Sequence, residues 1–295
     1  MSSKWMKLGC VFLFFVTPLV SAFPQEATEE VLAPLRDALT FHSSFDSGTD
    51  ADFALGDKKI YTAPAYDEVD NAKPGFDNPN AKLVPNKGRF GSGLEFHQKN
   101  TSALFFRGET NLAYTPKDWR GTVSFWLSLG PNQDLEPGYC DPIQITDTTY
   151  NDAAVWVDFT KDNPRQFRLG AFGDLESWNP EKLSSDENPD FMKRLVVVDN
   201  PPFKHGEWTH VVITFSGLGS EGGGSAKLYL NGELQGATSG IKEPFTWDLS
   251  RAQIRIGVNY VGLYDELALF NRPLTDDEVS TLYGLSSGVS SLHKK

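Results

Sequence analysis

A strand-like stretch near the C-terminus, residues 263–270, places the strongest constraint on the fold. Its side chains alternate with a period of two, which puts Leu263, Leu267 and Leu269 on one face. Asp265 falls on that same predicted face. A carboxylate buried there without a cation or several donors is destabilising by several kcal/mol. The pattern predicts a strand buried in a two-layer sandwich and a partner for Asp265.

The strand is followed by a turn and a short helix. An Asn-Arg-Pro sequence at residues 271–273 ends the strand. Thr275, with Glu278 three residues later, forms a capping-box pattern, which predicts a helix that continues to Tyr283. Because strand, acid, turn and helix follow one another without a gap, we expect them to form one structural unit.

Similar alternation recurs along the 295-residue chain, which is long enough for one large domain. An Asn-Gly pair at residues 231–232 is a strong signal for a hairpin turn. Strands are predicted at residues 39–45, 103–106, 121–129, 153–160, 166–172, 195–198, 206–215, 227–230 and 233–235. The sequence therefore predicts an all-β fold.

The pattern at residues 263–283 resembles the close of a laminin-G-like (LamG) domain of the concanavalin A-like superfamily. A Gly-x-Gly-Leu-x-Phe run at residues 91–96, Trp-x-His-Val at 208–211 and Tyr-x-Asn-Gly at 229–232 resemble further motifs of that family. The resemblance implies an antiparallel, two-sheet jelly-roll β-sandwich with a short C-terminal helix. It also implies carbohydrate or protein binding and, in many members, a structural calcium.

The resemblance also suggests where calcium would bind. In related folds a glycine carbonyl of the Gly-rich strand joins the ligands, and Gly93 is the candidate here. The first predicted strand ends at Asp46, and the first and last strands of this fold are neighbours, so Asp46 is expected near Asp265. We therefore expect one structural calcium near these three residues. The oxygen-rich loop at residues 131–151 lacks EF-hand spacing and is interpreted as a solvated acidic loop.

Aromatic and charged side chains on the predicted strand faces are candidates for ligand binding. Trp156 and Asp158 share one face, and Arg168 follows on the strand predicted to pair with theirs. Trp126 lies on a polar face of another strand, and Trp178 follows in a loop. Aromatic rings combined with a few fixed polar groups are typical of ligand sites. These five residues form the predicted glycan surface, and the alternative for Trp126 is packing beneath a covering loop.

No pair of acids close together in the sequence has the pattern expected of catalytic carboxylates. The Glu-x-Asp-x-x-Glu run of laminarinase-like glycoside hydrolases is absent from the sequence. Asp265 and Glu266 are expected on opposite strand faces, and Asp174 and Glu176 lie in loop-like sequence without a third acid. His210 belongs to a family motif and is expected to pack, because no serine elbow or second metal-spaced histidine accompanies it.

These observations favour a non-catalytic module that binds carbohydrate and carries a structural calcium. Two alternatives remain open at the level of sequence. One is a polysaccharide-cleaving enzyme whose acids come from separate strands. The other is a structural module that binds a protein at the cell surface. The sequence leaves the oligomeric state open.

The N-terminal residues 1–22 read as a cleavable secretory signal. Lys4 and Lys7 precede an apolar run and a small-residue cleavage site. A membrane anchor is the alternative, although the apolar run is shorter than the roughly 20 residues that span a bilayer. Loss of the two lysines takes the net charge from −12 to −14, which disfavours nucleic acid as a partner. We expect a secreted, periplasmic or cell-surface protein with no membrane segment after cleavage.

The remaining boundaries follow from composition. Residues 23–38 are acidic and predict a tether or a short helix interrupted at Pro34. The LamG-like domain is expected over residues 39–284, followed by a disordered tail at 285–295. Residues 50–86 are rich in Asp, Gly, Pro and Asn, and they exceed the usual family connection. Part of this insertion is expected to pair or pack, because long structureless loops are uncommon in compact domains.

Overall fold

The computed structural model describes residues 28–184 and 188–293. The predicted signal segment at residues 1–22 lies outside the described residues. Within these two ranges, no helix is long and apolar enough to cross a membrane.

Most of the described chain forms strands. In chain order they are β1 Leu39–Ser43, β2 Phe53–Ala54, β3 Ile60–Ala63, β4 Lys73–Pro74, β5 Ala81–Val84, β6 Gly93–Phe96, β7 Ala103–Arg107, β8 Trp119–Ser128, β9 Cys140–Thr146, β10 Ala154–Phe159, β11 Phe167–Phe172, β12 Leu195–Val198, β13 Thr209–Leu218, β14 Gly224–Leu230, β15 Glu233–Ile241, β16 Gln253–Val258 and β17 Gly262–Phe270. The helices are α1 Glu29–Ala38, α2 Pro131–Asp134, α3 Leu175–Trp178, α4 Pro189–Met192 and α5 Asp276–Gly284, and 3₁₀ turns span Val69–Asn71, Glu109–Leu112 and Val289–Leu292.

The strands form two antiparallel sheets packed face to face. Sheet A has the order β15-β14-β13-β8-β17-β1-β2, and β6 joins it beside β17 with β5 on its far side. Sheet B has the order β12-β11-β10-β9-β16-β7-β3-β4. The core lies between them, where Phe41 of sheet A meets Phe106 of sheet B edge to face at 4.8 Å between ring centroids. This arrangement confirms the two-sheet jelly-roll sandwich.

The predicted C-terminal helix is present with its expected cap. Thr275 and Glu278 form both hydrogen bonds of the capping box at the start of α5. Arg272, from the preceding turn, holds the Glu278 carboxylate with two hydrogen bonds of 2.7 Å. The turn and the helix therefore form one unit, as the sequence pattern predicts.

The alternation of β17 is broken by a bulge that changes the face on which Asp265 lies. Glu266 has a φ of 55°, and the pairing with β8 shifts between Asp265 and Ala268. Tyr264 and Leu267 both face the core, while Asp265 faces outward between them. The expectation that Asp265 shares a face with Leu267 is therefore wrong, because the extra residue resets the period of two.

The insertion at residues 50–86 is built into both sheets. Strand β2 pairs with β1 at the edge of sheet A, and β3 and β4 extend sheet B from β7. Strand β5 pairs with β6. The insertion therefore packs against the sandwich and extends both of its sheets.

The outer face of sheet A is covered by helices and by the C-terminal segment. Residues from α1, α5 and residues 285–292 pack on side chains of β13, β14 and β17 in one apolar cluster. Leu292 is fully buried there, and the Val289 amide donates to Glu266 Oε2 at 2.7 Å. The prediction of a disordered tail is thus wrong for residues 285–293, since this segment carries its own apolar side chains into the cluster.

We predict that Leu292→Ala lowers the free energy of unfolding by about 2–5 kcal/mol, because truncation leaves a cavity in a buried apolar cluster. Chemical denaturation measures the change. Leu234→Ala is the matched control, since Leu234 is 47% exposed. An equal, small effect of both substitutions would show that the C-terminal segment does not pack on sheet A.

Candidate functional site

A cavity of about 280 Å³ opens on the outer face of sheet B, and we call it the sheet B cavity. Its floor follows a row of residues paired directly across neighbouring strands. Gly170 of β11 pairs with Trp156 of β10, which pairs with Gln144 of β9, which pairs with Arg255 of β16. Because side chains of paired residues lie on one face, this register places an aromatic ring, an amide and a cation side by side.

Trp156 lies flat across the position of Gly170. A Cβ atom on Gly170 would come within 2.3 Å of the indole ring, so glycine is needed for the ring to lie there. The indole Nε1 donates to the carbonyl oxygen of Tyr150 at 2.5 Å. Phe172 stacks beside Trp156 at 5.9 Å between ring centroids. The orientation of the Trp156 ring is therefore fixed by Gly170 beneath it, by Phe172 beside it and by the hydrogen bond to the Tyr150 carbonyl.

A buried ion pair forms the neighbouring part of the floor. Arg168 Nε donates to Asp158 Oδ1 at 2.8 Å, and Arg168 Nη2 donates to Asp158 Oδ2. Both side chains are at most 7% exposed. Burial raises the pKa of Asp158, and the hydrogen bonds from Arg168 oppose that rise. The guanidinium also lies 5.0 Å from the centre of the Tyr139 ring.

A second polar network fixes the side of the cavity above β9 and β16. Tyr66 donates its hydroxyl to Gln144 Oε1 at 2.6 Å, and Gln144 Nε2 donates to Asp141 Oδ2 at 2.8 Å. Burial, together with the charge of Asp158, raises the pKa of Asp141 well above its usual range. Asp141 therefore presents a carboxyl group whose position is set by the protein.

The structure brings together three of the five predicted ligand residues. Trp156, Asp158 and Arg168 line the cavity. Trp178 lies behind them, buried against Phe172, and donates its Nε1 to a backbone carbonyl. It supports the Trp156 side of the site without lining the cavity.

Trp126 lies on the other sheet, so the prediction that it shares a groove with Trp156 is wrong. It stacks on His210 at 4.7 Å and on Tyr283 at 5.7 Å, and Arg89 covers its outer face at 4.8 Å. Period-two alternation cannot distinguish the outer face of one sheet from the outer face of the other. The structure thus places Trp126 in a packing role.

His210 is likewise a buried packing residue. Its Nε2 lies 2.8 Å from Ser124 Oγ, and burial lowers its pKa to about 3. The ring is therefore neutral across the physiological range of pH.

The three residues predicted to bind calcium meet at one loop, residues 88–93. Ser92 donates its amide to Asp46 Oδ1 at 2.6 Å, and Phe90 donates its amide to Asp265 Oδ2 at 3.1 Å. Gly93 packs against the backbone of Gly88. The resemblance therefore placed two distant acids correctly at the same loop.

Oxygen atoms converge beside Gly88 in this loop. A Cβ atom on Gly88 would lie 2.2 Å from Ser92 O, 2.6 Å from Phe90 O and 2.7 Å from Asp265 Oδ2. Calcium prefers carboxylate and carbonyl oxygens. The converging carbonyls belong to Phe90 and Ser92, whereas Gly93 was the expected donor. Among the described residues no group of three or more His, Cys, Asp or Glu side chains could hold a metal, so backbone oxygens would be needed.

Asp265 is the chemically unusual member of this group. It is fully buried, and its Oδ1 forms no hydrogen bond within the described part of the chain. Burial raises its pKa to about 8. The Asp265 carboxyl group, with Oδ2 beside two converging carbonyls and Oδ1 without a hydrogen bond, fits a site for a hard cation.

Comparison with known families agrees with this architecture. A family model described as the concanavalin A-like lectin/glucanases superfamily matches residues 116–280, more than half of the chain. The chain belongs to this superfamily. No curated protein sequence shows significant similarity to it.

Solved structures of similar fold include the botulinum neurotoxin serotype D binding domain, with a TM-score of 0.54, 12% identity and coverage of 86% of this chain and 52% of that chain. The serotype D ligand-binding domain in complex with N-acetylneuraminic acid gives a TM-score of 0.50, 11% identity and the same coverage. Domain 4 of an extracellular arabinanase from Geobacillus stearothermophilus, in complex with arabinotriose, gives 0.48, 19% identity and coverage of 82% and 97%. The chain spans about half the length of the neurotoxin chains, and these identities show the fold alone.

Several cavity residues of this concanavalin A-like chain were not found from its sequence. Tyr66 comes from the insertion, Tyr139 and Tyr150 from loops at the two ends of β9, and Phe191 from α4. Asp141 was one of several acids in a loop interpreted as solvated. The sequence shows only that these tyrosines lie next to predicted strands. That they line one cavity can be inferred only once the strand order is known.

We predict that Gly170→Ala displaces the Trp156 ring and destabilises the fold by about 1–3 kcal/mol, as expected for overpacking of a buried site. Tryptophan fluorescence and thermal unfolding measure the two effects. Gly284→Ala is the matched control, because a Cβ atom there meets no atom within 4 Å. Unchanged fluorescence and stability in Gly170→Ala would mean that Trp156 does not lie over Gly170.

Proposed function

We propose that this protein is a non-catalytic carbohydrate-binding module and that the sheet B cavity is its binding site. The observation that carries the proposal is the fixed Trp156 ring beside two satisfied polar networks, one at Asp158 and Arg168 and one at Gln144 and Asp141. A sugar has apolar C–H faces and a rim of hydroxyl groups. A cavity with an oriented ring and a small number of fixed polar groups is complementary to both.

The polar groups are suited to binding rather than to bond cleavage. Glycoside hydrolysis by the usual route needs two carboxyl groups that flank the scissile bond. Asp158 is held by two hydrogen bonds from Arg168, which leaves Asp141 as the cavity carboxyl group not held by a cation. This arrangement supports the binding module over the polysaccharide-cleaving alternative.

One structural neighbour is described in complex with a sugar, N-acetylneuraminic acid. The low identity means that this likeness extends to the fold and not to the residues of the site. The proposal for this chain therefore depends on its own cavity. The signal-like residues 1–22 support secretion as the setting in which such a module would meet glycans.

We predict that a glycan and polysaccharide screen gives binding that Trp156→Ala weakens at least tenfold, because the ring provides the apolar platform. Tyr66→Phe is expected to weaken binding by a smaller factor, since it keeps the ring and removes the hydroxyl that donates to Gln144. Isothermal titration calorimetry measures both, and release of reducing sugar is followed in the same samples.

Trp126→Ala is the matched control, because it removes a buried tryptophan from the outer face of the opposite sheet. Circular dichroism verifies that each variant is folded. Equal loss of binding in Trp126→Ala and Trp156→Ala, with both folded, would contradict the proposed location. Release of sugar that disappears in Asp141→Asn would favour the enzyme instead.

We also propose that the loop at residues 88–93 binds one structural calcium through Asp265, Asp46 and backbone carbonyls. The orphaned Asp265 Oδ1 and the converging oxygens of Phe90 and Ser92 support this proposal. A bound cation would stabilise the ionised form of the Asp265 carboxyl group. It would thereby stabilise the loop that joins β5 and β6 to the rest of sheet A.

Calcium is expected to raise the unfolding temperature, and a chelator to reverse the change. At a hundredfold excess over Kd the stabilisation is about 2.7 kcal/mol. Without calcium, folded Asp265 keeps its proton up to a pH of about 8, whereas the unfolded carboxyl group releases it near 3.8. Stability should therefore fall as the pH rises between these values, by at most about 1.4 kcal/mol per pH unit.

Asp265→Asn should abolish both the calcium effect and this pH dependence. Glu221→Gln, in an exposed loop, is the control and should retain both. Differential scanning calorimetry with calcium and with chelator gives the answer. A wild-type protein whose unfolding temperature is unaffected by either would rule out the calcium site.

A further inference from the structure

The sheet B cavity is enclosed at both ends of the strands that form its floor. At one end lie the start of β9, with Tyr139 and Asp141, and the end of β16, where Val258 pairs with Asp141. The β6–β7 loop, residues 97–102, closes the same end through Ser102 and its neighbours. At the other end Tyr150, from the β9–β10 loop, forms the wall. A long chain lying along the strands would meet walls in both directions.

The cavity is also closed across the strands. On the β16 side, Tyr66 lies over Arg255, with 4.3 Å between the guanidinium carbon and the centre of the ring. On the β11 side, Phe191 of α4 packs on Phe172 at 4.9 Å between ring centroids. The insertion and α4 therefore form opposite walls. What remains is a partly enclosed pocket, and its volume of about 280 Å³ lies just below the roughly 300–1,000 Å³ of ordinary ligand pockets.

Arg168, the cation that lines the pocket, is paired before any ligand arrives. The lining carboxyl groups are those of Asp158 and Asp141, and burial raises the pKa of Asp141. Arg168 is neutralised by its two hydrogen bonds to Asp158. The nearby Arg255 is occupied by Gln253 and by the Thr148 carbonyl, and Tyr66 separates it from the opening. Among the described residues that line the pocket, a carboxylate or sulfate would meet the Asp141 carboxyl group and no unpaired cation.

Polar and apolar groups are segregated within the pocket. Asn100, Asn259 and Asp141 lie at the end formed by the start of β9. Trp156 and Phe191 lie toward the other end. A single sugar ring held between them would direct its hydroxyl groups to the amides and the carboxyl group, and its apolar face would lie toward the aromatic side of the pocket, where the edge of the buried Trp156 contributes to the lining.

We propose that the sheet B cavity binds the uncharged terminal sugar residue of a glycan, end-on, and does not bind the interior of a chain. This inference extends the proposed carbohydrate function and depends on it. The walls on four sides exclude an interior segment, the volume limits the occupant to about one or two rings, and the pairing of Arg168 with Asp158 disfavours acidic sugars.

The test uses arabino-, xylo-, malto-, cello- and laminari-oligosaccharides of one to six residues, with glucuronic acid and N-acetylneuraminic acid as acidic probes. Isothermal titration calorimetry on the full chain gives the affinity of each probe and the number of molecules bound per chain. For each oligosaccharide series that binds, we expect the affinity to reach its full value at two sugar residues and to change less than threefold between two and six sugar residues. Acidic probes should bind at least tenfold more weakly than the neutral sugars, because the Arg168 guanidinium is already paired with Asp158.

Cyclomaltohexaose, which has no chain end, provides a control against linear maltohexaose if the malto series binds. An affinity that rises more than tenfold from two to six residues would overturn end-on binding while leaving carbohydrate binding intact. Tighter binding of an acidic probe than of every neutral one would overturn the charge argument. Absence of binding to every probe would overturn both the inference and the proposed function.

Discussion

Arg255 is a fully buried cation on the outer face of sheet B, and the organisation of that face depends on satisfying it. Burial lowers the pKa of its guanidinium, which reflects the cost of removing this charge from water. Gln253 and the Thr148 carbonyl accept its hydrogen bonds, and the Tyr66 ring covers it. Tyr66 in turn fixes Gln144. One buried charge thus couples the β9–β10 loop, the insertion and the polar end of the cavity.

The outer faces of the two sheets are buried by different kinds of contact. Sheet A is covered largely by apolar residues from α1, α5 and the C-terminal segment, and a few buried polar groups such as His210 and Ser124 lie beside them. Sheet B buries polar side chains that must satisfy one another, as Asp158 does with Arg168. Hydrogen bonds between buried polar side chains fix the orientation of these side chains as well as their contacts. On sheet B these oriented polar groups line the cavity.

The sequence predicted most of the strands because alternation reports local burial, but β9 lies within residues 131–151, and their interpretation as a solvated acidic loop is wrong for that strand. The core-facing positions of β8 and β10, such as Phe125 and Val157, follow directly from it. The bulge at Glu266 escaped prediction, because one residue with positive φ leaves no signature in the hydrophobic pattern. Which outer face carries Trp126 and which carries Trp156 depends on strand order, and strand order is set by non-local pairing. Tyr66 and the C-terminal segment were missed for the same reason, since their partners lie far away in sequence.

The two ends of the described chain meet on the face opposite the cavity. Arg36 of α1 donates from Nε to the carbonyl oxygen of Leu292 at 3.0 Å, and both belong to the layer that covers sheet A. A tether, a neighbouring domain or a solid support joined to either end would therefore be attached on the face opposite the cavity. The cavity would then be displayed toward the surroundings, which makes attachment through the chain ends compatible with capture of a ligand from solution.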